Sequence, residues 1–124
     1  MRHTPPFTIF MLLRSSPAWL ALDRAARAAF VETQVRPIFA ARPEVAMRYF
    51  DAEAFHGRCT DLMVFETADL IAYNHLIEAL RDTDLLGGVP YFEVLDVIPS
   101  LEDGWKAYEA QLAQPATVGA DAAA

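Results

Sequence analysis

The strongest constraint on this chain is an order of periodicities. Four short β-rich segments, "FTIFMLLR" near 7–14, "VAMRYFD" near 45–51, "TDLMVFE" near 60–66 and "YFEVLDVI" near 91–98, alternate with helical patterns. A helical stretch follows the first and third segments, while only a short tip joins the second to the third. Strand, helix, strand, strand, helix, strand is the split βαβ order. Right-handed crossovers then place both helices on one face of a four-stranded antiparallel sheet. The expectation is an α+β, ferredoxin-like domain.

Local signals support the two crossovers. Ser16 with Pro17, and then Asp23, have the chemistry of helix N-caps ahead of "RAARAAFVETQVRPIFAAR". That run buries an apolar stripe of Ala26, Phe30, Val31, Val35, Ile38 and Phe39, and Pro37 must kink it or end its regular part. Asp69 caps "LIAYNHLIEALRDTDLL", which Gly87 and Gly88 stop. Residues 99–112 read as a short helix or arm carrying Trp105 and Tyr108. The whole is one domain over 7–112, preceded by an extended leader, 1–6, whose prolines block helix and sheet. A disordered tail, 113–124, follows it.

With 124 residues, 54% of them hydrophobic, the chain has enough apolar mass for a core without metals or disulfides. Its formal charge is −7 and its ten Lys and Arg are scattered, so the phosphate attraction that underlies nucleic-acid binding is missing. No apolar run approaches the roughly 20 residues of a bilayer span. A cytoplasmic protein without nucleic-acid or membrane partners is expected. Cys59 is the single cysteine, and no metal site is implied. The glycine-rich phosphate loop, HExxH, GxSxG and CxxC are all absent from the sequence.

Side-chain parity carries the functional reading. One set, Ile9, Met11, Leu13, Val45, Met47, Tyr49, Leu62, Val64, Phe92, Val94 and Ile98, is assigned beneath the helices. The other set, assigned to the helix-free face, holds Thr8, Phe10, Leu12, Phe50, Met63, Phe65, Leu95 and Val97, together with Arg48, Asp61 and Glu93. So much apolar surface needs a cover, and a second copy packed by a two-fold axis is the simplest one. The C-terminal arm, folded back on its own sheet, is the other candidate. In the enclosed space Arg48, placed diagonal to Asp61, forms a salt bridge or anchors a ligand. His56, at the expected hairpin tip, is either a solvated loop residue or an acid–base group at the pocket mouth. Trp19 caps the core or lids the cavity. His75 is a boundary residue on the second helix, with haem ligation the remote alternative.

The runs "FMLLRSSPAWLAL", "RPIFAARPEV", "RYFDAEAFHGRCTD", "LIEALRDT" and "YFEV", in this order over residues 7–98, resemble the darcynin family, a small bacterial group that supplies no catalytic residues to carry over. The element order is also similar to that of dimeric α/β-barrel proteins. That superfamily includes cofactor-free aromatic monooxygenases, muconolactone isomerases and haem-degrading monooxygenases. The uncovered apolar face with its charged trio leads to the expectation of a homodimer, joined through the helix-free face, that binds a small, largely apolar molecule, aromatic or polyketide-like, without a cofactor. The expected chemistry is a proton-transfer step such as isomerisation or cyclisation, or an oxygenation. Arg48, Asp61 and His56 are the candidate catalytic residues, and Phe10, Trp19, Phe50, Met63, Phe65 and Glu93 the candidate ligand contacts. The competing reading is a non-catalytic accessory protein whose sheet face only dimerises.

Overall fold

A computed structural model describes residues 6–114. Its elements are β1 (Phe7–Ser15), α1 (Pro17–Leu20), α2 (Arg24–Phe30), a π-helical turn (Val31–Val35), α3 (Arg36–Ala40), β2 (Val45–Asp51), β3 (Asp61–Thr67), α4 (Leu70–Arg81), β4 (Phe92–Ser100) and α5 (Gly104–Leu112). The four strands form one antiparallel sheet in the order β2-β3-β1-β4, the ferredoxin-like arrangement expected from the sequence. Residues 1–5 and 115–124, most of the expected leader and tail, lie outside the described residues.

The capping residues act as their chemistry requires. Ser16, Asp23 and Asp69 each accept a hydrogen bond from the backbone N–H three residues on. Pro37 has no N–H to donate, and the turn just before it widens so that the Arg36 N–H reaches back to the Val31 carbonyl. α4 is shorter than its apolar pattern, ending at Arg81 rather than at the glycines. Gly87 instead packs against that helix end, where a Cβ would lie 1.8 Å from the Arg81 carbonyl oxygen. In the same segment Leu85 is buried in the core, with the Phe92 N–H bonded to its carbonyl at 3.0 Å as β4 begins.

The core lies between the sheet and the helices. Ile9, Met11 and Leu13 of β1, Val45 of β2, and Met63 and Phe65 of β3 are buried against Val35, Ala72, Leu76 and Leu80. Phe65 is fully buried, between Phe39, whose ring lies parallel at 6.4 Å, and Tyr73, edge-on at 5.3 Å. Trp19, Phe30, Tyr91 and Phe92 form a second aromatic group where α1 meets the start of β4.

The register corrects the parity assigned to β3. Arg48 pairs with Val64, not Met63, so Asp61, Met63 and Phe65 face the helices while Leu62, Val64 and Glu66 face away. A slip of one residue exchanges the two faces of a strand. β4 also departs from expectation, because a bulge between its Leu13 and Leu12 pairings switches parity within the strand. Val97 therefore shares the helix side with Phe92 and Val94, and Ile98 joins Phe10 on the open face. α5 does not cover that face: it has no buried residue, and Trp105 and Tyr108 are each about three-fifths exposed.

Candidate functional site

The open face and the helix side of the sheet hold different chemistry. On the open face Arg48 meets Glu66 at 3.2 Å, with its guanidinium 5.6 Å from the centre of the Phe50 ring. This replaces the expected Arg48–Asp61 pair. Phe10 and Phe50 lie on the same face, partly exposed, and among the described residues no deep chamber forms there within one subunit. A shallow hollow of about 320 Å³ is bounded by Thr8, Phe10, Arg48, Glu66 and the residues leading into α5.

The larger space is on the helix side. A cavity of about 530 Å³ opens between the α1–α2–π segment and the β2–β3 hairpin. Its helical wall carries Trp19, Leu20, Arg24, Arg27, Val31 and Val35, and its floor carries Met47, Tyr49, Asp51, Asp61 and Met63. Val31 and Val35 of the apolar stripe expected for the first crossover border this wall, beside the charged Arg24 and Arg27. The floor depends on the register of β3, which delivers Asp61 to the helix side.

Asp61 is 8% exposed and is held by hydroxyl groups. Tyr49 donates to Oδ2 at 2.5 Å and Thr60 donates to Oδ1 at 2.5 Å. Thr60 is itself fixed, its hydroxyl accepting the Ser15 N–H at 2.8 Å while its own N–H bonds the Leu13 carbonyl. The pair is thus tied to β1 as well as to the hairpin. Tyr49 is 43% exposed, yet its hydroxyl ends against the buried carboxylate. Burial first, then the bond to Asp61 and the negative charges of Asp61, Asp51 and Glu53, hold its phenol well above the ordinary tyrosine range. Opposite, Arg27 donates to the Trp19 and Leu20 carbonyls and lies 5.8 Å from the centre of the Trp19 ring, which locks the α1 segment over the cavity.

The expected site residues therefore divide. Trp19, Met63 and Asp61 come together at the cavity. Phe65 is sealed in the core, and Phe10, Phe50 and Arg48 are on the opposite face of the sheet. Glu93 borders a separate hollow between α4 and β4, with Arg81 and Tyr73. His56 lies in the exposed hairpin loop, where Nδ1 accepts the N–H groups of Arg58 and Cys59 at 3.2 and 2.8 Å. It is a loop brace, away from the cavity. His75 is exposed on α4. Neither His56 nor His75 borders the hollows described above. Sequence reasoning missed the part played by Tyr49, Arg24 and Arg27. For Tyr49 the signal was present, since a hydroxyl beneath the helices needs a partner.

The darcynin family, described as a domain of unknown function, matches residues 1–120. The chain belongs to the darcynin family. It is 55% identical to Darcynin of Chromobacterium violaceum over 80 residues, 64% of this chain and 100% of that protein. It is 43% identical to Darcynin 1 of Acinetobacter baumannii over 90 residues, covering 73% of this chain and 99% of that one. Among solved structures, a mutant chlorite dismutase from Candidatus Nitrospira defluvii superposes with a TM-score of 0.71 at 16% identity, over 92% of this chain and 47% of that chain. Dimeric chlorite dismutases from Nitrobacter winogradskyi give 0.56 at 22% identity, over 67% and 52%. The chain spans about half the length of these structures, and the likeness establishes the ferredoxin-like fold they share.

Proposed function

We propose that this chain is the subunit of a homodimer that binds a small, largely apolar molecule, aromatic or polyketide-like in shape, in the cavity on the helix side of its sheet. The observation that carries this is a space of about 530 Å³ in which Trp19, Leu20, Val31, Val35, Met47 and Met63 supply apolar surface, Arg24, Arg27, Asp51 and Glu53 border it with charge, and one buried carboxylate, Asp61, lies in the floor. Small-molecule sites have this size and combine apolar lining with a few placed polar groups. The chemistry that such a floor supports is proton transfer, as in an isomerase or cyclase, with Asp61 as acceptor; an oxygenation that begins by ionising the substrate would use the same group. Arg48 and His56 have no part in it, because both lie outside the cavity. The helix-free face serves assembly: Phe10, Phe50 and Ile98 are 37–45% exposed there, enough apolar surface to favour a two-fold partner. A fold neighbour named as dimeric supports the same assembly.

Native mass spectrometry of the purified protein tests both parts, reporting subunit number and any retained small molecule. A dimer that Phe10→Glu splits into folded monomers supports the assembly, and a wild-type monomer at tens of micromolar removes it. Asp61→Asn that leaves binding and turnover of a retained molecule untouched removes the proton-transfer role. The second reading, a non-catalytic accessory protein, is favoured by the Arg48–Glu66 bridge, which leaves that part of the open face electrostatically satisfied. It expects a dimer with an empty cavity.

A further inference from the structure

α5 has no packed side among the described residues. None of its side chains is buried, and a helix of nine residues is marginal in water unless one face is covered. Its apolar side chains are nevertheless aligned. Trp105, Tyr108 and Leu112 recur at spacings of three and four, Leu101 lies at their foot, and all four are 58–65% exposed. The turn leading into the helix is built to hold it where it stands. Asp103 adopts the left-handed conformation, with φ 48° and its carboxylate 3.6 Å from the Lys106 ammonium. Gly104 sits so close to Leu101 that a Cβ there would come within 3.2 Å of the leucine side chain. Folding α5 back over its own sheet would mean rebuilding that turn.

The open face of the sheet has the matching deficit. Leu101 already borders its hollow together with Phe10 and Arg48, so the stripe begins at the rim of the surface assigned to assembly. At roughly 200 Å² for a large side chain, the exposed parts of Phe10, Phe50 and Ile98 amount to on the order of 250 Å² per copy. A stable interface buries about 800 Å² per partner, a little over half of it apolar, so these side chains supply about half of the apolar share. The α5 stripe offers on the order of 500 Å² more on the same basis, enough to make up the difference. Resting on the reading that the open face serves assembly, we propose that α5 is an exchanged arm: in a two-fold dimer of this chain, each copy lays Trp105, Tyr108 and Leu112 on the open face of the other. Packed sheets lie about 10 Å apart and nine helical residues extend roughly 13 Å, so the arm is long enough to cross. The two-fold axis makes the exchange reciprocal, and both stripes and both faces are covered in one closed assembly.

The test mixes isotope-labelled and unlabelled full chain, so that NMR contacts between copies are separated from those within one. Contacts from the Trp105 indole of one copy to Phe10, Phe50 or Ile98 of the other are expected. Sedimentation equilibrium should show a dimer about tenfold or more weaker in Trp105→Ala, with much of the loss restored in Trp105→Phe. Because Trp105 is largely exposed in the single chain, Trp105→Ala should keep the native circular dichroism spectrum. Indole contacts that fall within one copy overturn the exchange, since the arm then covers its own sheet. A dimer that shows no such contact, or that is as tight in Trp105→Ala as in wild type, overturns the arm and leaves assembly through the open face standing. A wild-type monomer at tens of micromolar removes the assembly reading and this proposal with it.

Discussion

The two faces of the sheet each hold a carboxylate on β3, and they treat it in opposite ways. Glu66 on the open face meets a cation, Arg48, that is itself 65% exposed. Asp61, on the helix side and five residues away in sequence, meets only hydroxyl groups at 8% exposure. Pairing near water is cheap and contributes little, whereas an anion held without a cation away from water must be supported by hydrogen bonds. The second arrangement leaves acceptor positions on the carboxylate unused, which is why the proposed site lies on the helix side.

The largest test of the contrast is mechanical. Phe65→Ala removes a fully buried ring beside Phe39 and Tyr73 and should lower stability by about 3–5 kcal/mol in denaturant unfolding. The same truncation at half-exposed Phe50 should cost far less in the monomer. Asp61→Ala comes next, at about 1–3 kcal/mol, since the Tyr49 and Thr60 hydroxyls lose their acceptor. A loss near zero would mean that water or a shifted hydroxyl replaces the carboxylate without penalty.

Alkaline titration separates the faces further. A phenol that holds its proton more tightly in the fold than in the unfolded chain favours the native state below the ordinary tyrosine value. As pH rises above about 10, the unfolded chain ionises first and stability falls. Unfolding midpoints measured across that range should decline in wild type and decline less in Tyr49→Phe. Tyr73, also raised by burial, supplies a residual slope in both. Smallest of all, Arg48→Ala should cost about 0–1 kcal/mol, as expected of a bridge near solvent. A larger loss that grows with protein concentration would mean that the bridge is dried out in a dimer.

Much of this was legible in the residues, and the exceptions share one cause. β2 alternates enough that Val45, Met47 and Tyr49 are assigned to the helix side, where the structure has them; β1 is apolar on both parities, so the provisional assignment of Ile9, Met11 and Leu13 to that side rests on no clear alternation. β3 is apolar on both parities, with Leu62, Met63, Val64 and Phe65 in succession, so period two decides nothing. Its face is set by the loop from Ala52 to Thr60, closed by the Ala52 N–H on the Thr60 carbonyl and braced by His56. A register misplaced by one residue sends Asp61 to the wrong side, and with it the candidate site. The bulge in β4 is likewise silent in the sequence, since Val94, Leu95, Val97 and Ile98 fit either face. Caps and breakers are local and were readable; strand facing depends on partners far along the chain.

The π-helical turn at Val31–Val35 forms part of the cavity's roof, and such a turn holds one residue more than regular α geometry would. Deleting a single residue there would draw the bulge back into the ordinary ladder and leave the helices on either side facing as they do now. The roof around Val31 and Val35 would tighten, with the sheet left intact. The shape of the proposed binding space thus depends on a count of residues in one stretch of backbone.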